Sequence, residues 1–378
     1  MIKIGITGQA GFIGSHLYNT LGLHPGEFER VPFEDSFFEQ EDRLNSFVGR
    51  CDAIIHLAAM NRHGDPQVIY DTNTRLVQQL IHACEQTHSR PHILFASSTQ
   101  EERDNLYGKS KRDGRKMFEA WAMKNHGHFT GFIIPNVFGP FGHPYYNSVV
   151  ATFCHQLTHD ETPRIEVDGE VNLIYVGELV NEIIEHIEAM RAEGDTGIAD
   201  AVPVEHTSVI KVSALLAKLQ AFKNIYYEQG IIPNLDDPFD RNLFNTFVCY
   251  INHETFFPFP LKLHTDERGS FAETMKLYGG GQVSFSTTMP GITRGNHFHT
   301  RKAERFAVIK GKARIELRRI GTDRLLAFDL DGDKPSFVDM AIWHTHNITN
   351  TGDGELYTLF WISEHYDAAD PDTYFEKV

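Results

Sequence analysis

The chain has 378 residues, 41% of them hydrophobic and 23% charged, with a formal net charge of −16. So long a chain exceeds what one hydrophobic core usually serves, and two domains are expected. The acidic balance argues against nucleic acid or an anionic membrane as a partner, but not against an anionic ligand held by backbone N–H groups.

The predicted elements begin with an apolar strand over 3–7. It runs into Gly8-Gln9-Ala10-Gly11-Phe12-Ile13-Gly14, and a helix starts near Ser15. Glycines at this spacing between a strand and a helix permit a tight turn and close approach of a pyrophosphate to the helix N-terminus. Gly8, Gly11, Phe12, Ile13 and Gly14 are therefore candidates for holding a dinucleotide. A second strand is expected over 28–33, and the residues near its end read the adenine ribose. An acid there favours NAD and an arginine favours NADP. The chain offers Arg30, Glu34 and Asp35, so both dinucleotides stay open. The apolar run 52–59 reads as a buried parallel strand. It ends in Leu57-Ala58-Ala59, small enough for adenine or ribose to lie close.

An amphipathic helix over 68–85 carries Asn73. A strand over 92–96 ends in Ser97-Ser98-Thr99. Tyr107 and Lys111 follow, four apart at the start of a helix and so on one face. A tyrosine with its ordinary pKa of about 10 is a poor general acid–base near neutrality. A lysine ammonium one turn away would stabilise the phenolate, and Ser98 would hydrogen-bond a substrate carbonyl. A helix from about 146, a strand over 171–176 with a helix behind it, and helices over 213–223 and 239–250 complete a first domain, 1–250. The alternation of strands and helices predicts an α/β doubly wound parallel sheet with its ligand at the strand carboxyl ends.

Phe256-Phe257-Pro258-Phe259-Pro260 breaks the helical pattern and marks a junction. Strands are expected after it over 270–275, 281–286, 305–309, 312–318, 325–329, 341–346 and 355–362. Short strands with turn signals between them predict an all-β barrel or sandwich over 251–378. Within it, Gly291 to Gly311 reads G, five residues, H-x-H, four residues, E, six residues, G. On a strand His297 and His299 share a face, so both imidazoles can converge on one point. With Glu304 they suit a divalent metal such as zinc, manganese, iron or nickel, and His346 can supply a fourth ligand. Four scattered cysteines with no C-x-x-C pair point to a reducing cytoplasm. No signal peptide is expected, and no apolar run is long enough to span a bilayer.

The first domain resembles the extended short-chain dehydrogenase/reductases, on Gly8/Gly11/Gly14, Leu57-Ala58-Ala59, Asn73, Ser98 and Tyr107/Lys111. The resemblance implies a Rossmann-type fold. It also implies hydride transfer between a nicotinamide, NADP(H) or NAD(H), and a carbon bearing oxygen, commonly on a nucleotide sugar. Pro135-Asn136-Val137-Phe138-Gly139-Pro140 is similar to the segment where nucleotide-sugar members set an asparagine, here Asn136, against substrate. Only eight residues separate Ser98 from Tyr107, where most such enzymes have a longer loop. Ser97 and Thr99 therefore stay open beside Ser98.

The second domain resembles the cupins: the run from Gly291 to Gly311 matches their first motif and His346-x-x-x-Asn350 their second. Asp266-Glu267-Arg268-Gly269-Ser270-Phe271 and Arg294-Gly295-Asn296-His297 are similar to segments of the nucleotide-sugar 3,5-epimerases, themselves cupins. That likeness puts Arg268 and Arg294 against substrate. Its base would be His297, but here His297 joins a ligand set. The proton is then left to His344, a metal-bound water or Glu304. The whole chain resembles bifunctional enzymes of capsule or O-antigen synthesis that pair these two domains. They imply a homodimer with a zinc-bearing cupin. It epimerises carbon 3 of a UDP-2-acetamido-2,6-dideoxy-hexos-4-ulose, and NADPH then reduces the carbon 4 ketone to UDP-2-acetamido-2,6-dideoxy-L-talose. Two other readings remain. One is a ketoreductase with a structural, dimerising cupin, and the other is a nucleotide-sugar sensor that binds NADP without turnover.

Overall fold

The structure, a computed structural model, describes residues 1–193, 199–267 and 269–378. In chain order its elements are β1 Ile2–Thr7, α1 Phe12–Leu21, β2 Phe28–Val31, α2 Glu41–Val48, β3 Ala53–His56, α3 Pro66–Thr87, β4 His92–Ser98, α4 Leu106–Asn125, β5 Phe129–Ile134 and β6 Asn136–Phe138. There follow α5 Val149–Thr158, β7 Glu170–Tyr175, α6 Val176–Glu193, β8 Ala199–Pro203, β9 Ser208–Lys211, α7 Val212–Phe222, α8 Pro238–Val248 and α9 His253–Phe256. Strands then take over: β10 Phe259–Pro260, β11 Leu263–Asp266, β12 Gly269–Ala272, β13 Gln282–Thr288, β14 Thr293–Phe298, β15 Glu304–Lys310 and β16 Lys312–Arg319. The last are β17 Leu325–Asp331, β18 Ser336–Met340, β19 His344–Asn350, β20 Leu356–Ile362 and β21 Tyr374–Phe375. Two compact units result: Met1–Phe138 with Gly142–Val149 and Glu170–Ile210, and Gly139–Phe141 with Val150–Gly169 and Lys211–Val378. The four cysteines are unpaired.

The first unit is built on a parallel sheet in the order β2-β1-β3-β4-β5-β8. Alternation along each strand sorts the side chains onto two faces. Ile54, Ile93 and Phe95 meet Leu44, Phe47, Leu80 and Phe118 from α2, α3 and α4. Ala53, Ile55 and Leu94 meet Leu17, Leu21, Leu179 and Ile183 from α1 and α6. Helices thus cover both faces, as the doubly wound reading requires. β2 and β3 lie on opposite sides of β1, so the strand order reverses there and opens a crevice at the carboxyl ends of β1 and β3. β2 stops at Val31, two residues short of expectation, because Pro32 has no N–H for the ladder. α3 starts earlier than expected because Asp65 caps it, accepting from Gln67 N at 2.9 Å, with Pro66 in the first turn.

The second unit carries two five-stranded antiparallel sheets, β10-β18-β15-β20-β13 and β17-β16-β19-β14-β21. Their inner faces enclose Ala307, Ala313, Ile315, Leu317, Val338 and Ile348, giving the cupin barrel. The single strand expected over 341–346 is two. β18 ends at Met340 and β19 begins at His344, with Trp343 between them at φ 60° and its N–H donating to the His299 carbonyl at 2.8 Å. An apolar run hides this turn, since nothing in Met340-Ala341-Ile342-Trp343 marks it.

A buried ion pair ties the barrel to its own helical segment. Arg305, 1% exposed, donates to both Asp339 carboxylate oxygens at 2.7 and 2.8 Å and to the Gly230 carbonyl at 2.6 Å, and lies 3.5 Å over the Phe337 ring. Tyr226 donates its hydroxyl to the same carboxylate. Arg305→Met leaves Asp339 charged and buried, and is expected to destabilise the barrel by about 3–5 kcal/mol in urea unfolding. Adding Asp339→Leu to that variant should recover most of the loss, because the uncompensated charge is then gone.

Candidate functional site

In the first unit the glycine loop closes onto the start of α1. Gly8 has φ +70°, and a Cβ there would sit 2.8 Å from the Ala58 backbone nitrogen. Leu57 N and Ala58 N donate to the carbonyl and hydroxyl of Thr7 at 3.2 and 3.3 Å. This pins the end of β3 beside the loop. Gly11 caps α1 without a side-chain bond, and no acidic residue lies in the first turn. The first N–H groups of the helix and its positive end are therefore open to a pyrophosphate. Phe12 and Ile13, at the head of α1, pack against the core.

Ser97 is buried and its hydroxyl is spent on Glu101. Ser98 hydrogen-bonds Tyr107, and Thr99 is exposed. Burial, with Tyr146 nearby, pushes Tyr107 up to about 12 against the Ser98 hydrogen bond. Lys111 is 4% exposed and donates to the Ala96 carbonyl at 2.9 Å, and its Nζ lies 5.9 Å from the Tyr107 ring centre. Burial lowers Lys111 to about 8, with Glu101 working against it. Burial of the phenol thus outweighs the neighbouring ammonium, and Tyr107 stays above its ordinary value rather than below it. Tyr107 arrives protonated, the state a proton donor needs.

Two expected cofactor residues have other partners. Asn73 is 5% exposed; it accepts from Met60 N at 2.7 Å and donates to Met60 O and Ser110 Oγ at 3.1 and 3.0 Å. It staples the loop after Ala59 rather than offering its amide to a ligand. Arg30 lies 4.2 Å over the Tyr18 ring and donates to the Tyr18 carbonyl at 3.1 Å, so it is engaged on α1. Glu34 and Asp35 stand exposed just past β2. Asn136, exposed on β6, donates to the Asn172 carbonyl at 3.2 Å. Sequence reasoning missed Glu101, whose carboxylate takes Arg115 at 2.8 Å as well as Ser97. Its signal was the unusually short span between Ser98 and Tyr107, which leaves room only for one tight turn, Thr99–Glu102.

In the second unit, ligand atoms of His297, His299, Glu304 and His346 lie within 4.8 Å of one another. β14 brings His297 opposite His346 on β19, and a bulge after Gly295 sets the register. His299 gives its Nδ1–H to the Asp372 carbonyl, and His346 gives its Nδ1–H to the His344 carbonyl at 3.2 Å. With those tautomers fixed, each Nε2 carries a lone pair. In the neutral form both lone pairs face Glu304 Oε2, at 3.3 and 3.0 Å, without a hydrogen-bond partner, and a proton taken up by either ring turns that contact into an ion pair. Burial works to raise the Glu304 pKa, yet the imidazoles beside it hold it below the usual carboxylate range. Burial, aided by His346, lowers His297 to about 4, leaving it a free base. Three lone pairs crowded around a carboxylate charge are satisfied by a cation, so this donor set fits a divalent metal.

His344 does not join them. Its Nδ1 bonds the Ile342 carbonyl at 3.0 Å and its ring packs 5.4 Å from His253 and 5.9 Å from Phe141. Burial, with His253 beside it, lowers it to about 3, far below the working range of a general base. Asn350 binds Thr288 O, Gly354 O and Gly352 N at 2.7–2.9 Å, closing a turn rather than reaching a ligand. Arg294, exposed, donates to Thr288 Oγ1 and Thr287 O at 3.1 and 3.0 Å. Arg268 lies outside the described residues.

These features define a nicotinamide-binding enzyme of the short-chain dehydrogenase/reductase type joined to a cupin barrel with a metal-ligand cluster. Residues 4–198 match the NAD dependent epimerase/dehydratase family, and residues 264–374 match the polysaccharide biosynthesis C-terminal domain. The chain belongs to the NAD dependent epimerase/dehydratase family, and in its domain pairing it is CapF-like. It is 32% identical over 374 residues to UDP-2-acetamido-2,6-beta-L-arabino-hexul-4-ose reductase of Pseudomonas aeruginosa, covering 99% of this chain and 98% of that one. The crystal structure of the capsular polysaccharide assembling protein CapF from Staphylococcus aureus is similar over 100% of both chains, at 34% identity and a TM-score of 0.62. UDP-glucose 4-epimerase from Thermotoga maritima, at 20% identity and a TM-score of 0.52, covers 59% of this chain and 83% of its own, and shares the fold alone.

Proposed function

We propose that this chain is a bifunctional nucleotide-sugar enzyme of capsule or O-antigen synthesis. Its cupin, about 251–378, epimerises carbon 3 of a UDP-2-acetamido-2,6-dideoxy-hexos-4-ulose, and its reductase, about 1–250, reduces the carbon 4 ketone. The product is UDP-2-acetamido-2,6-dideoxy-L-talose, a precursor of UDP-N-acetyl-L-fucosamine. The observation that carries this reading is the converging lone pairs of His299, Glu304 and His346 in a chain that also holds Ser98, Tyr107 and Lys111. The full-length likeness to a hexulose reductase supports the substrate class.

The ketone at carbon 4 acidifies the proton on carbon 3; that proton passes to water at the site or to Glu304, and a proton returned to the opposite face of the enolate inverts the centre, so one ketone serves both steps. His297, His299, Glu304 and His346 would hold the metal, taken here as zinc. When bound, it supplies Lewis-acid stabilisation of the enolate oxygen. His297, the half-exposed member of the set, lies on the side open to substrate. The glycine loop would hold the pyrophosphate of a dinucleotide, taken as NADPH, whose nicotinamide would supply the hydride. Ser98 then orients the carbonyl, Tyr107 gives its proton to the carbon 4 oxygen, and the Lys111 ammonium, anchored on the Ala96 carbonyl, holds the nicotinamide ribose and sets a positive charge beside Tyr107. Asn136, Arg294 and Arg268 are assigned to the substrate. Among the described residues no helix is long and apolar enough to cross a membrane. We propose a cytoplasmic homodimer.

Burial of three of the four ligands favours a second reading, a closed structural metal site. One experiment separates the two. The protein is incubated without nicotinamide in deuterated water with the UDP-linked 4-keto-6-deoxy amino sugar, with and without chelator. Deuterium entering carbon 3 and stopping on chelation is expected. No deuterium, with reduction intact once NADPH is added, leaves a ketoreductase carrying a structural barrel.

A further inference from the structure

Residues 370–378 run along one edge of β14, the strand that carries His297 and leads into His299, opposite the edge held by β19. Tyr374–Phe375 pairs as β21 with His297 and Phe298, and Glu376 N donates to the Asn296 carbonyl at 3.0 Å. Just ahead of these contacts in the chain sits Asp372, 3% exposed and at φ 40°. Its carboxylate accepts from Thr300 N, Arg301 N and Lys302 N, each at 3.0 Å, and from Thr300 Oγ1 at 2.6 Å. Those donors are the residues that link His299 to Glu304. The backbone carbonyl of the same Asp372 accepts the Nδ1–H of His299.

We propose that Asp372 is a positioning residue of the cupin metal site. Its side chain anchors the turn between two ligands, and that anchorage puts its carbonyl where it fixes the tautomer of His299. A carbonyl can only accept, so Nδ1 must carry the hydrogen and Nε2 must present its lone pair inward. A left-handed φ is strained for a residue with a side chain. Here four donors to one buried carboxylate hold it. Without them the residue relaxes, the carbonyl swings away, and His299 is free to exchange its hydrogen between the two nitrogens.

The inference rests on the metal reading of His297, His299, Glu304 and His346, and the test keeps the two apart. Zinc affinity of the full chain is measured by competition with a chromophoric chelator. The His299 tautomer is read separately from imidazole ¹⁵N shifts of the metal-free protein. Failure of the parent to bind zinc would sink the metal reading itself. With a parent that binds, Asp372→Ala should weaken zinc by about 10–100-fold, the usual effect of losing an outer partner of a ligand. Read in alkaline solution, where the ring is neutral, the His299 signals should move from a pure Nδ1–H form to an average of both tautomers. Zinc binding within twofold of the parent, or an affinity loss with the tautomer unchanged, overturns the proposal. Should Asp372→Ala fail to fold, Asp372→Asn carries the test, since it keeps the volume and one acceptor oxygen. Its expected loss lies at the lower end of that range, about 10-fold, and a parent-like affinity counts against the role.

Discussion

Tyr107→Phe is expected to lower the rate of carbon 4 reduction by about 10²–10⁴-fold while leaving nicotinamide binding and the fold intact. The hydroxyl it removes is the group placed to protonate the carbon 4 oxygen. Because burial raises Tyr107 to about 12, that proton is present across the whole working range, and its loss limits nothing below strongly alkaline pH. Lys111 behaves differently. With burial holding it down to about 8, its charge disappears as pH rises through that value. The reduction rate should therefore be level in mildly acid and neutral solution and fall above about 8, with the falling limb belonging to Lys111. Lys111→Arg keeps the charge and should remove that limb, whatever it does to the plateau. Stopped-flow loss of reduced-nicotinamide absorbance, followed against pH, checks both points. A Tyr107→Phe protein that turns over like the parent would return the first unit to the sensor reading.

Glu304→Gln is expected to weaken zinc by more than about 100-fold, since losing even an outer partner of a ligand costs about 10–100-fold. Its effect on the metal-free protein runs the other way. Glutamine has nearly the shape of glutamate, and its amide nitrogen can donate to the Nε2 lone pairs of His299 and His346, which lack partners now. Two buried acceptors become satisfied, each worth about 1 kcal/mol. Metal-free Glu304→Gln should then melt at or above the parent in alkaline solution, where no proton on the imidazoles relieves the crowding. Added zinc at a hundredfold excess over its Kd should stabilise the parent by about 2.7 kcal/mol and the variant by almost nothing. Thermal melts with and without zinc read both effects. A variant that is less stable without metal would mean that Glu304 is already satisfied and that no cation is called for. The same variant should no longer exchange the carbon 3 proton while still reducing the ketone, if the cupin is the epimerase.

Much of both sites was readable in the chain because their parts are local. The glycines from Gly8 to Gly14 follow β1 directly, so strand, turn and helix N-terminus are contiguous. His297 and His299 share a face because strands alternate, and Tyr107 and Lys111 share one because helices turn every 3.6 residues. Residue type and spacing also carried the two kinds of fold, a parallel α/β sheet followed by a barrel; that α5, α7 and α8 group with the barrel strands did not show in the sequence. What spacing cannot report is which polar group a side chain has already found. Asn73 has the right position for a cofactor but is spent on Met60 and Ser110, and Arg30 is spent on Tyr18. Ser97 and Ser98 are neighbours of identical chemistry, and the buried Glu101 occupies one and leaves the other to Tyr107. His344 stands two residues from a ligand, yet the turn at Trp343 leaves its ring buried against His253 and Phe141 instead. Asp372 lies 73 residues beyond the imidazole whose tautomer it fixes. Local composition therefore determined which groups could do chemistry. Contacts between residues far apart in the chain decided which of them are free to do it, because burial and hydrogen-bond partners are properties of the packed molecule.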